Sequence, residues 1–274
     1  MKQIIDISFW QLGFGYLILL IPIIGLWFFK TGLIRSLLIG ASRMTVQLLL
    51  VGVYLGYLFK LNNAWVNVLW VIVMVVVGAF TVTSRTGVSR KLFVIPFIIA
   101  GFSSLVLIDA FFLGAIIQLD YLFDARYFVP ISGMILGNSM NHNIVGVSAY
   151  FDGLVQKEEL YNFLLINTND RRAALLPFIQ DALKKALNPM IANMSVMGLI
   201  SLPGMMTGQI LGGSSPGEAI KYQILIMLAI FTGCSLNLLI SLFISNRYAF
   251  DRFGVLKKGI VVNTTRFKKE HGRH

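Results

Sequence analysis

The chain has 274 residues, of which 57% are hydrophobic and only 13% charged, and its mean hydropathy is +0.78. Soluble domains carry about a quarter charged residues, so a water-soluble enzyme or binding domain is excluded. The net charge of +11 does not signal nucleic acid either, because the basic residues sit in short connections and in the tail rather than in a stripe interleaved with aromatics.

In chain order, apolar runs fall at Phe9–Phe29, Ser36–Phe59, Ala64–Thr83, Leu92–Leu113, Tyr127–Tyr150, Pro189–Leu211 and Lys221–Ser245. Each is about the length that crosses a bilayer as a helix, which predicts an all-α integral membrane protein of about seven transmembrane helices. The first run is too long for the apolar part of a cleaved signal and has no small-residue cleavage site after it, so it reads as a retained span. Arg43 interrupts the start of the second. The lone cysteine, Cys234, lies in the last run and has no partner for a disulfide.

Lys and Arg favour the cytoplasmic side of short loops. With the C-terminus inside, one face collects Lys30, Arg35, Arg43, Arg85, Arg90, Lys91, Lys157, Arg171, Arg172, Lys184, Lys185 and the basic residues from Arg247 to Arg273. The other keeps Lys2, Lys60, Arg126 and Lys221. The split predicts an external N-terminus, a cytoplasmic C-terminus, a transmembrane domain over residues 1–250 and a basic cytoplasmic tail over 251–274 that lies near anionic headgroups.

The polar segment 152–188, between the fifth and sixth runs, repeats apolar residues at three- and four-residue steps, as in short amphipathic helices. Asn169 or Asp170 can cap the second of these, and Asn188-Pro189 reads as the start of the sixth membrane helix. Such a segment either lies on the membrane surface or docks a cytoplasmic partner.

Small residues let helices approach closely in lipid. The spacing occurs at Gly52 and Gly56, at Gly133 and Gly137, and along the sixth run at Gly198, Ser201, Gly204, Gly208 and Gly212. Pro203 has no N–H and its ring crowds the preceding turn, so the sixth helix should kink there, facing the bundle interior or a path through it. Met190, Met194, Met197 and Met205 share a helical stripe, with Met206 beside it. Methionine packs irregular, moving surfaces, and its thioether also binds soft cations.

The fifth run concentrates Asn138, Ser139, Asn141, His142, Asn143 and Ser148, with Met134 and Met140 among them. Polar groups at that depth hydrogen-bond between helices or line a cation path. Asp109 is the only carboxylate inside an apolar run; its place near the run's outer end suggests that it reaches the interface, the alternatives being a gate or a proton carrier. No His/Cys/Asp/Glu spacing suits a tight metal site, and no phosphate cradle or nucleophile–base pair occurs. An enzyme is disfavoured; if ATP drives transport, another chain must bind it.

Val129–Met140, "VPISGMILGNSM", and Gly198–Ile224, "GLISLPGMMTGQILGGSSPGEAIKYQI", closely resemble the FetB family, membrane subunits of ABC transporters assigned to iron export, whose plant relatives are half-transporters linked to aluminium tolerance. The similarity runs from about the second helix to the seventh. It is most specific in Leu-Pro-Gly-Met-Met and in Pro216, Ala219, Ile220, Tyr222 and Gln223.

The resemblance implies a partner ATPase of the FetA type and a homodimeric permease in a 2:2 complex. It also implies a cytoplasmic connector, which falls on the segment 152–188 and favours docking there. Asp181 and Pro189 match that connector, and Asp170, Arg171 and Arg172 lie in it; "LLINTNDRRAA" departs from the usual Leu-Gly-Ala followed by Thr or Ser.

The expectation is therefore a plasma-membrane, multi-pass permease without a cofactor of its own, exporting a metal cation such as iron. Its candidate hinge or path is Ser201, Pro203, Gly204, Met205, Met206, Asn138, Met140 and His142. A stand-alone secondary cation transporter, and a membrane anchor that holds an ATPase without moving cargo, are the alternatives from other classes.

Overall fold

The computed structural model describes residues 7–257 and 259–260, so most of the expected basic tail lies outside the described residues. The described residues are helical apart from turns and two isolated bridges, Met197 with Ser201 and Phe250 with Leu256.

Helix α1, Phe9–Phe28, starts at a capping box in which Ser8 and Gln11 bond each other's backbone, and it tightens to a 3₁₀ stretch at Tyr16–Leu19. Helix α2, Ile34–Leu61, ends at Asn62, whose φ of 37° turns the chain into α3, Ala64–Thr86. The Asn63 side chain accepts the Trp65 N–H at 2.9 Å to cap α3, and Gly87 at φ 70° closes it. Helix α4, Arg90–Asp109, runs on as a π-helix over Ala110–Ile116. Helices α5, Ala125–Gln156, and α6, Glu158–Thr168, follow, and then α7, Arg171–Val196, α8, Gly204–Leu211, and α9, Pro216–Ala249.

Five helical stretches are long and apolar enough to cross a membrane: Phe9–Phe28, Ile34–Leu61, Ala64–Thr86, Arg90–Ile116 and Pro216–Ala249. The chain is a multi-pass membrane protein. The other two expected spans differ from expectation for physical reasons. The fifth run is part of α5, a 32-residue helix of about 48 Å, with a buried polar stripe that lowers its hydropathy. The sixth run is not one helix.

Helix α9 lies against α4 and α5, α3 also packs on α4 and α5, and α7 runs along α5 with α6 beside it. The contacts are close where Gly146 and Gly233 sit. A Cβ on Gly146 would come within 2.7 Å of Leu238, and one on Gly233 within 2.7 Å of the Ile135 side chain. Helix α1 stands outside this bundle and α2 joins it only near its C-terminal end, where Leu58 is buried; no residue of either apolar window is buried. Lipid tails are as apolar as these side chains, so the exposure carries no penalty in a membrane.

After α9 the chain turns back. Asp251 accepts the N–H groups of Phe253 and Val255, and the Tyr161 hydroxyl donates to the Gly254 carbonyl at 2.6 Å. Ser89 N–H donates to the Ile260 carbonyl at 2.9 Å. The described start of the tail is thus a clasp joining α6, α9 and the head of α4.

A broken helix and a buried polar seam

The expected sixth helix begins earlier and stops sooner than its sequence suggests. Pro189 lies inside α7 instead of opening a helix. Ala174, Leu175, Phe178, Ala182, Ala186 and Met190 form one buried stripe through it, and packing of that stripe on α5 and α9 outweighs the hydrogen bond that proline removes. One helix therefore leads from the polar segment into the membrane-spanning bundle.

The kink expected at Pro203 is a complete break over residues 197–203. Gly198 adopts φ 86°, a left-handed value that glycine reaches at no steric cost, and its N–H donates to the Ser201 carbonyl at 2.9 Å. Leu202 precedes proline and is disfavoured in a helix, and Pro203 is the N-cap of α8. Leu199 and Ile200 point outward, 89% and 81% exposed. Consequently the small-residue stripe is not continuous. Gly198 and Ser201 belong to the turn, while a Cβ on Gly204 or Gly208 in α8 would meet no other described part of the chain within 4 Å. Gly212 meets only the carbonyls of Gly208 and Gln209, and Gly52, Gly56 and Gly137 face open space. Of the predicted packing glycines, only Gly133 is placed so that an added Cβ would meet another helix among the described residues, 3.9 Å from the Met74 sulfur.

The break lines a cleft of about 390 Å³ against α9, with Met194, Met197, Leu202, Pro203 and Met206 on one side and Gln223 and Met227 on the other. Irregular backbone at membrane depth is tolerated where it borders a cavity or is buried in protein. Met206 and Gln223 are buried, and Gln223 Oε1 has no hydrogen-bond partner. Met205 instead packs against the core.

The polar groups of α5 divide differently from expectation. Asn138 Nδ2 donates to the Met134 carbonyl at 2.8 Å, and His142 Nδ1 lies 2.7 Å from the Asn138 carbonyl. Both satisfy themselves on their own helix. The buried seam is instead Ser132, Ser139, Asn143 and Tyr150, at steps of seven, four and seven, the periodicity of a helix–helix seam. Ser132 donates to Asp109 Oδ2 at 2.6 Å, and Ser139 donates to the Cys234 sulfur at 3.7 Å. Asn143 Nδ2 donates to Asn237 Oδ1 at 2.5 Å, Asn237 Nδ2 donates to Ser104 Oγ at 3.1 Å, and Tyr150 donates to Asn246 at 2.6 Å.

The seven-four-seven spacing was legible, but the choice of face required the partner helices. Met140 joins Ser139, Asn143 and Asn237 around a cavity of about 20 Å³. Asp109 does not reach the interface: it is 5% exposed, with Oδ1 unpartnered.

At the polar end, Asp170 caps α7 by accepting the Arg172 N–H at 2.8 Å. The Arg171 guanidinium lies over the Phe250 ring, 5.6 Å from its centroid, and Asp181 pairs with Lys185 at 2.8 Å on an exposed face. Burial pushes the Tyr161 phenol above its ordinary pKa, against the pull of Arg171. Phe163 and Ile166 on α6 stand 62% and 80% exposed beside Asn162 and Asn167. Among the described residues, no three His, Cys, Asp or Glu side chains come together as a metal site.

The profile of an uncharacterised protein family, UPF0014, matches residues 9–250. The UPF0014 membrane protein YjkA of Bacillus subtilis is 31% identical over 77% of this chain and 83% of its own length. Protein ALUMINUM SENSITIVE 3 of Arabidopsis thaliana is 33% identical over 70% of this chain and 69% of its own. The probable iron export permease protein FetB of Escherichia coli is 28% identical over 81% and 84%. No solved structure gives a significant match.

Proposed function

The chain belongs to the UPF0014 family, and on that premise we propose that it is the permease subunit of an ABC transporter. In this reading it lies in the plasma membrane, N-terminus outside, and exports a metal cation such as iron. A separate FetA-like chain binds and hydrolyses ATP, and two copies of each make the complex. The E. coli relative is named a probable iron export permease, which supports the cargo class.

The observation that carries the reading is the continuity of α7. A single helix begins beside the exposed Phe163 and Ile166 and ends at the break before Pro203. A partner seated on α6 and the start of α7, at Asp170, Arg171, Arg172 and Asp181, would move a lever whose far end is the methionine cleft. Pro203 and Gly204 then act as the hinge, and Met205 and Met206 tolerate both packings. Asn138, Met140 and His142 flank the polar seam as the second part of the path. Gly52 and Gly56, where an added Cβ would meet no side chain among the described residues within 4 Å, are open to the second copy.

Gentle purification from native membranes tests this. An ATP-binding chain should co-elute in equal amounts, and the double variant Phe163→Asp, Ile166→Asp should lose it while melting at the wild-type temperature. A wild-type chain that elutes alone across mild detergents and lipid discs would remove the permease reading and favour a stand-alone transporter.

A further inference from the structure

We propose that the cleft at the helix break is a binding site for a soft, monovalent, thiophilic cation of the Cu(I) or Ag(I) type. The inference rests on the transport reading above and, within its class of metal cations, departs from iron.

Four thioethers line the cleft from four places in the chain. Met194 comes from the last turns of α7 and Met197 from the turn; Met206 comes from α8 and Met227 from α9. Gln223, 7% exposed, lines the same cleft, and its side-chain oxygen has no hydrogen-bond partner among the described residues. A buried amide oxygen without a donor is costly in an apolar setting, and a cation relieves that cost.

The donor set selects the ion. Thioethers are neutral and soft, and they form strong bonds with Cu(I)-type ions but weak ones with Fe(II), Mg(II) or Mn(II), which need carboxylate, imidazole or water. No cluster of three His, Cys, Asp or Glu exists among the described residues to supply those ligands. Charge argues the same way, because a site without a carboxylate offsets the desolvation of a single positive charge far better than that of two. Methionine's three rotatable bonds let the ligands close on an ion much smaller than about 390 Å³. The turn between Val196 and Gly204 allows α8 to follow.

The test uses the full chain in lipid discs, in chloride-free buffer, with Cys234→Ser as background so that a thiol cannot report. Ag(I) is titrated and the metal retained after gel filtration is counted. One Ag(I) per chain is expected, with sulfur neighbours in its X-ray absorption spectrum. Met197→Leu with Met227→Leu should weaken binding at least tenfold, and Gln223→Leu severalfold. Tenfold excess Fe(II), added without oxygen, should not displace the ion. Leucine keeps methionine's volume, and a melting curve on each variant checks the fold; the single Met227→Leu serves if the pair is unstable.

Silver retained at full affinity by the methionine variants, or displaced by Fe(II), overturns the proposal. A chain that binds no silver yet co-elutes with an ATP-binding chain loses this site and keeps the permease reading. Silver binding by a chain that elutes alone does the reverse.

Discussion

Glycine does opposite work in two parts of this protein. In the bundle of α3, α4, α5 and α9, Gly146 and Gly233 hold places where a Cβ would come within 2.7 Å of a neighbouring side chain. Along the break and α8, a Cβ on Gly198, Gly204 or Gly208 would meet no other described part of the chain within 4 Å. The first pair is needed for packing. The second group leaves a segment that few contacts hold, and low local contact is what a moving element requires. A spacing rule for small residues selected the loose group and passed over the tight pair.

That contrast can be broken by substitution. The largest effect is expected from Gly233→Val, because Ile135 would have to leave its place. Overpacking of this kind costs roughly 1–3 kcal/mol, and the melting midpoint in detergent should fall by several degrees. An unchanged midpoint would mean that the α5–α9 contact is not closely packed.

Next is Asn237→Leu, which takes partners from both Asn143 and Ser104. Leaving the Asn143 amide unpaired costs roughly 1–3 kcal/mol, and Asn143→Leu added to it should recover part of the loss. Full additivity of the two changes would show that they do not interact.

Gly198→Ala strains a left-handed position, at roughly 1–2 kcal/mol. A smaller drop in melting midpoint than for Gly233→Val should accompany it.

The smallest effect on stability belongs to Pro203→Ala and Gly204→Leu, within about 0.5 kcal/mol as for other open sites. These same variants should lose metal export from cells, and wild-type export in both would sink the hinge. A large stability loss with intact export would reverse the comparison between the two regions.

Much of this was legible from residues alone. Apolar runs located most of the helices, because a membrane demands long apolar segments with their backbone satisfied internally. Ser8, Asn63, Asp124, Asp170 and Ser215 cap as their residue types favour. The Gly-Leu-Ile-Ser-Leu-Pro-Gly segment announced an interruption. Its local chemistry showed that a helix is weak there, though not whether it bends or breaks.

Tertiary structure decided the rest. Pro189 could read as a start because a proline's local cost is visible, whereas the stripe from Ala174 to Met190 that offsets it acts only against α5 and α9. Ser139 and Asn143 outrank Asn138 and His142 because α9 presents Cys234 and Asn237 to one face of α5. Asp109 is buried because Ser132 lies across from it. In each case the residue's own chemistry set what it can do, and the packing of distant helices chose which of those possibilities the folded chain uses.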